Sequence, residues 1–322
     1  MRIKAIILPI GSALAAAATA SPPPLISPMP PLPATQAAAE QQVATRADAV
    51  NRLTVPVSIA GRGPYHFVVD TGAERTVISR ELATMLALKP GGPVTMLSMS
   101  GIDQVQTAIV TGLQLSREPI SDIRAPMLAE ADLSAPGLLG IDSLATKRVV
   151  MDFREGRISI VEADQPEQRM SDEIVVRARR RYGQLVLVDA DVEGERVAVI
   201  IDTGSQTSVG NEALRLRLRR ADAIGALRPT SVISVMGKEI PAYYTQAEKV
   251  RIGGITVKKM PIVFAEAKPF EALGLTGRPA LLLGIDVLRT FDRVSVDFAN
   301  KRVRFLLPTP GARLPGTRLA AR

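Results

Sequence analysis

The sequence predicts an all-β protein with short helices, built as two homologous lobes by internal duplication, and three repeated stretches carry that prediction. An apolar run ending in an acid on a turn, Phe67-Val68-Val69-Asp70-Thr71-Gly72-Ala73, is written again as Val199-Ile200-Ile201-Asp202-Thr203-Gly204-Ser205. Leu138-Leu139-Gly140-Ile141-Asp142-Ser143-Leu144 returns as Leu282-Leu283-Gly284-Ile285-Asp286-Val287-Leu288, each copy following its own Asp-Thr-Gly. Val149-Val150-Met151-Asp152-Phe153 and Arg157-Ile158-Ser159-Ile160 then match Val294-Ser295-Val296-Asp297-Phe298 and Arg302-Val303-Arg304-Phe305. Repeated order at similar spacing marks a duplicated unit.

Taken in order, the chain begins with Arg2 and Lys4 ahead of an apolar stretch from Ala5 to Ala18, and Ala18-Thr19-Ala20 fits the small-residue rule for cleavage before Ser21. Residues 1–20 are therefore expected as a signal peptide. The apolar stretch is short for a membrane span, and Pro22-Pro23-Pro24 follows at once, which disfavours a buried helix. The chain has no Cys and no Asn-x-Ser/Thr acceptor, so no lipidated cysteine or disulfide is available, and export reads as delivery to a bacterial periplasm. Residues 21–50 combine Pro with Ala, Gln and Thr and read as a Pro/Ala-rich linker.

The first lobe is expected over 51–162 and the second over 182–308. Leu53–Ile59 alternates as a strand, turns at Gly61-Arg62-Gly63-Pro64 and enters the run that delivers Asp70. In the second lobe, Leu185–Val192 turns at Glu193-Gly194-Glu195 and leads to Asp202. β-branched runs favour buried strands, and Gly permits the tight turn after the acid. Burying a carboxylate is costly unless chemistry requires it.

After each acid, Thr76-Val77-Ile78 and Ser208-Val209 run in parallel, and Ser79 and Asn211 stand where helix N-caps belong. Leu82 and Leu86 recur as Leu214 and Leu218, the four-residue spacing of a short amphipathic helix. That spacing makes Arg215, Arg217, Arg219 and Arg220 a solvated helix face rather than a nucleic-acid patch. Hairpins broken by Gly101 and Gly237 are expected over Met96–Val105 and Val232–Ile240. Asp152 and Asp297 read as turn formers, and Asp142 and Asp286 as residues that cap or orient the helical turn they enter. Residues 163–181, with Arg177, Arg179, Arg180 and Arg181, are expected as a wet inter-lobe linker and 309–322 as a flexible tail.

Composition narrows the chemistry. The apolar fraction of 46% is ample for packed cores, and with aromatics at 3% those cores must be built from Val, Ile and Leu. With His66 the only histidine and no cysteine, the usual zinc sets and Cys-His nucleophile pairs are excluded, and neither metal nor cofactor is expected. The net charge of +8 comes in part from the two ends of the chain. What remains for catalysis is a carboxylate pair.

Asp-Thr-Gly-Ala/Ser followed in the same half by Leu-Leu-Gly resembles the retropepsin-like aspartic proteases, over most of residues 51–308. The resemblance implies two β-barrel lobes joined as an intramolecular pseudo-dimer, each lending one catalytic acid, Asp70 or Asp202, to a shared cleft. It implies active-site turns at Thr71, Gly72, Ala73 and at Thr203, Gly204, Ser205, with the threonines bracing the turns across the interface and Gly72 and Gly204 letting backbone approach the acids. Leu139, Gly140, Leu283 and Gly284 become the lobe signature, and Gly101 and Gly237 the bending points of two flaps. Neither flap tip carries an aromatic residue, although Tyr243 and Tyr244 lie just beyond the second.

The chemistry so implied is cofactor-free hydrolysis of peptide bonds in a protein or peptide substrate of the cell envelope, by a monomer without a membrane anchor after signal cleavage. Two alternatives stand beside it: a peptide-binding pseudoprotease that keeps the cleft without turnover, and lobes that pair between chains. One difference separates the two turns, Ala73 against Ser205. A serine hydroxyl donating to the nearby carboxylate would make Asp202 the more readily ionised acid.

Overall fold

The computed structural model describes residues 54–115, 119–120, 122–166, 170, 172–181 and 183–308, with short strands at Ile6–Ile7, Val43–Ala44 and Arg318–Ala321. The expected signal peptide and linker lie outside the described residues apart from those first two strands. Strands hold 53% and helices 13%, so the chain is mainly β. Among the described residues the strands form two extended sheets, of 10 and 16 strands, with no closed barrel.

The junction between the lobes explains the open arrangement. Lys147–Asp152, from the end of the first half, pairs antiparallel with Arg293–Asp297 of the second, so one sheet runs on from lobe to lobe instead of closing on itself. Its inward residues Val149, Met151, Val294 and Val296 are fully buried. Strand alternation thus puts one apolar face beneath both halves.

The stretch expected as an inter-lobe linker is partly built into this sheet. Glu173–Arg181 is a strand that pairs with Arg302–Leu306 and then with Gln184–Leu187. Val176 and Ala178 are buried while Arg177, Arg179 and Arg180 face solvent. The basic cluster is the wet face of an amphipathic strand, a period-2 pattern that its charge obscures. In the expected tail, Arg318–Ala321 pairs with Ile255–Lys258, and 309–317 lie outside the described residues.

The hairpins that feed the acids form as expected, with a small displacement. Thr54–Ile59 pairs with Arg62–Val69 around a turn at Ala60-Gly61, so Arg62, Gly63 and Pro64 already belong to the strand. In the second lobe the strand from 184 breaks after Leu187, and Ala190–Val192 turns at Glu193-Gly194. The two helices start at the expected caps. Ser79 Oγ accepts from Leu82 N at 3.0 Å, and Asn211 Oδ1 accepts from Leu214 N at 2.9 Å. Leu82, Leu214 and Leu218 are buried, and Arg217, Arg219 and Arg220 fall in the last turn, where they complement the helix dipole.

Asp152 and Asp297 form turns, accepting from Glu155 N at 2.9 Å and Asn300 N at 2.8 Å. Both long hairpins are present, Lys89–Ser98 with Gly101–Val110 and Arg228–Ile233 with Glu239–Ile252.

Candidate active site

Each acid is delivered by the same local device. Arg62–Val69 runs parallel to Gly137–Leu139, and Asp70 N donates to Leu139 O at 3.0 Å. Ala198–Ile201 runs parallel to Ala280–Leu283, and Asp202 N donates to Leu283 O at 3.0 Å. The Leu-Leu-Gly signature is therefore the strand beside the acid. Immediately after it, a Cβ on Gly140 would lie 2.3 Å from Arg75 C, and one on Gly284 would lie 2.7 Å from Thr207 C. Both positions require glycine for close backbone approach.

Both acids are fully buried. Asp70 Oδ1 accepts from Gly72 N at 2.8 Å and Ala73 N at 3.0 Å, while Asp202 Oδ1 accepts from Gly204 N and Ser205 N, both at 3.1 Å. One oxygen of each carboxyl group is thereby fixed by its own turn. The two carboxyl groups face one another closely enough for the charge of Asp70 to bear on Asp202, and a Cβ on Gly204 would come within 2.2 Å of Asp70 Oδ2. Burial, and then the neighbouring charge of Asp70, push Asp202 well above the ordinary carboxylate range, against the pull of the Ser205 and Gly204 amides. Two carboxyl groups so placed do not both ionise readily, so the second keeps its proton to higher pH than the first.

The threonines link the turns reciprocally. Thr71 Oγ1 donates to Ile201 O at 2.8 Å and accepts from Thr203 N at 3.1 Å; Thr203 Oγ1 donates to Val69 O at 2.6 Å and accepts from Thr71 N at 3.0 Å. Four buried bonds thus tie the halves together beside the dyad.

Asp142 and Asp286 do more than orient the helical turn they enter. Those turns have Gly140 and Gly284 at their N-caps, without a side-chain cap bond, although Asp286 Oδ1 accepts from Val287 N at 2.9 Å. Both carboxylates also reach back to the loop after each acid. Asp142 Oδ1 accepts from Thr76 N at 2.8 Å and Thr76 Oγ1 at 2.7 Å; Asp286 accepts from Ser208 N at 3.0 Å and Ser208 Oγ at 2.8 Å. Those hydroxyls accept in turn from Gly140 N and Gly284 N. Burial raises both acids, Asp286 to about 6, with the Thr76 and Ser208 bonds opposing it.

The Ser205 expectation is corrected. Its hydroxyl donates to Thr207 O at 2.7 Å, and it is the backbone N–H, a group Ala73 also has, that reaches the carboxylate. The side-chain difference between Ala73 and Ser205 therefore gives Asp202 no added donor from that hydroxyl.

Each hairpin tip packs against the opposite lobe. Leu97 and Met99 of the first lobe share an apolar cluster with Ile200, Val209 and Leu282 of the second. Val235 of the second shares one with Ala73, Val77 and Leu138 of the first. Ser100 Oγ meets Ser234 Oγ at 2.9 Å, and Lys238 Nζ meets Asp103 Oδ1 at 2.8 Å. Gly101 and Gly237, at positive φ, lie at these tips.

Other residues singled out from sequence lie elsewhere. Tyr243 is exposed beneath the Arg215 guanidinium, 5.4 Å from its ring centroid, and His66 lies opposite Pro56 in its strand. A cavity of about 530 Å³ opens between helix Glu212–Arg220 and helix Lys268–Ala272, and neither acid lines it. Among the described residues, no cluster of His, Asp or Glu is placed to hold a metal ion.

Sequence reasoning missed Gln184, Ser100, Ser234, Asp103 and Lys238. All make contacts across the lobe interface, for which local sequence carries no signal. Gln184, fully buried, donates from Nε2 to Gly72 O in the opposite lobe.

Comparison with known families completes the picture. Residues 55–146 match the family described as gag-polyprotein putative aspartyl protease, and residues 188–287 match the aspartyl protease family. Each match contains one Asp-Thr-Gly and its Leu-Leu-Gly. No curated protein matches the chain.

Proposed function

Since the chain carries two aspartyl-protease domains in tandem and is an aspartic endopeptidase, we propose that it cleaves proteins or peptides of a bacterial cell envelope, in the periplasm, with one cleft formed between its own two halves. The convergence of Asp70 and Asp202 across the four-bond threonine lattice carries the single-cleft reading. The basic and apolar start of the sequence, with its small-residue cleavage site, supports the periplasmic assignment.

The chemistry follows from one proton shared by two acids. The ionised acid takes a proton from a water whose oxygen bonds to the scissile carbonyl carbon, while the protonated acid gives its proton to the carbonyl oxygen. The tetrahedral diol then collapses: the C–N bond breaks, the leaving nitrogen takes a proton from one acid, and the other takes the proton of a diol hydroxyl. The dyad ends with the single proton it began with. No covalent intermediate forms.

The test is incubation of the purified protein with a proteome-derived peptide library in ¹⁸O-water, with mass spectrometry of the products. New C-termini bearing one ¹⁸O, and inhibition by a statine-type mimic of the diol, are the expected result. A library left intact over the pH range 3–8 would overturn the proposal.

A further inference from the structure

The contact between Gln184 and Gly72 bears on which acid of the dyad is the base. Gln184 opens the strand Gln184–Leu187 of the second lobe, and its amide reaches the first lobe's turn. Only an N–H can face a carbonyl oxygen, so the amide's orientation is set by its partner. The Gly72 carbonyl belongs to the same peptide unit as the Ala73 N–H, and that N–H donates to Asp70 Oδ1 at 3.0 Å. A chain of bonds therefore runs from Gln184 through one peptide unit to a catalytic carboxylate. Donation to a peptide carbonyl polarises the unit and strengthens what its N–H donates, by roughly 10–30% per bond. A stronger N–H bond to a carboxylate favours its charged form.

We propose that Gln184 is a positioning residue that makes Asp70 the ionised, water-activating acid and leaves the shared proton on Asp202. This rests on the reading of Asp70 and Asp202 as a dyad. It reverses the assignment expected from Ser205, whose hydroxyl is committed to Thr207 O. One further observation agrees with it: the N–H bonds to Asp70, at 2.8 and 3.0 Å, are shorter than those to Asp202, both 3.1 Å, the direction expected of a more fully charged acceptor. The charged groups around the first turn are Asp202 across the interface, Glu74 and Arg75 on the following loop, and Asp142 against Thr76. None of these changes when Gln184 is replaced.

Counted back along the sequence from Thr54 and Val186, which pair alike with Val68 and Ile200, the residue that corresponds to Gln184 in the duplication is number 52. That residue is Arg52, outside the described residues. The duplication has therefore not kept the amide in both copies.

The experiment is a carboxyl NMR titration of the full chain labelled with ¹³C-aspartate, with the dyad signals assigned from Asp70→Asn and Asp202→Asn. In the unaltered protein the Asp70 signal is expected to carry the lower of the two dyad steps. Gln184→Met keeps the volume and removes the donor, and the lower step is expected to rise by about half a pH unit, on a scale where one unit is 1.36 kcal/mol. Gln184→Asn, which withdraws the donor by one methylene, is expected to shift it in the same direction. A lower step assigned to Asp202, or one that stays put in a folded variant, overturns the proposal. If neither variant folds, Gln184 is a structural brace and the proposal also falls. Because the titration needs no substrate, it judges Gln184 separately from the peptide-library experiment that judges the protease reading.

Discussion

In the two Asp-Thr-Gly turns, each acid takes two backbone N–H bonds on Oδ1, each threonine gives its hydroxyl to a carbonyl of the other lobe, and the glycine of each Leu-Leu-Gly donates to a hydroxyl that is itself bonded to a second acid. The two hairpins above them share no such identity. The first inserts Leu97 and Met99 into the second lobe, the second inserts Val235 into the first, and the ion pair between them sets Asp103 of one tip against Lys238 of the other. Duplicated halves have kept their donor sets where the two acids meet, and have diverged in the hairpins that pack across the lobes.

The matched region is tested first by the threonines. Thr71→Val and Thr203→Val each remove a buried donor and strand the groups it served, and each is expected to cost about 2–4 kcal/mol, measured by urea denaturation. The double variant is expected to lose less than the sum, because the four bonds form one unit. Unequal single losses, or strict additivity, would break the symmetry of the lattice.

A smaller effect distinguishes the two supporting acids. Burial raises Asp286 to about 6, so the folded chain holds this proton more tightly than the unfolded one. The stability it contributes is fully present below about pH 4 and is lost as pH rises through 6, on the order of 3 kcal/mol. Asp286→Asn is expected to flatten that decline in denaturation midpoints between pH 4 and 6.5. Asp142, also raised but more exposed, is expected to flatten it less when changed to Asn. Equal flattening would remove the distinction.

The smallest effect belongs to the hairpin ion pair. Lys238 is half exposed, and with solvent screening its bond to Asp103 is worth about 0.2–0.5 kcal/mol. Lys238→Ala is expected to leave the denaturation midpoint nearly unchanged while accelerating hydrogen exchange at the tips by no more than about threefold. Exchange that is unaltered at both tips would show that the apolar insertions alone hold the cover.

How much of this was legible in the sequence depends on how local each feature is. The acid turns, their Leu-Leu-Gly neighbours and the caps at Ser79 and Asn211 follow from spacing along the chain, and they fold as read. The strand Glu173–Arg181 was legible in principle, since Val176 and Ala178 alternate with arginines, but its charge made it read as a linker. Open sheets replaced the expected barrels because the junction pairs strands from different lobes. Asp142 and Asp286 were read as capping or orienting the next helical turn, and Asp286 does bond Val287 N there, but their bonds to Thr76 and Ser208, far back along the chain, carried no local signal. Gln184 could not be read at all, since its bond exists only once the two lobes are docked.

The central claim is that two acids of one chain form one dyad. The measurement closest to it is peptide cleavage by Asp70→Asn, by Asp202→Asn, and by an equimolar mixture of the two. Each variant is expected to lose activity by at least about a thousandfold while remaining folded, with no recovery in the mixture. Near-normal turnover by either single variant would contradict the shared dyad, and activity restored on mixing would show that the acids meet between chains rather than within one.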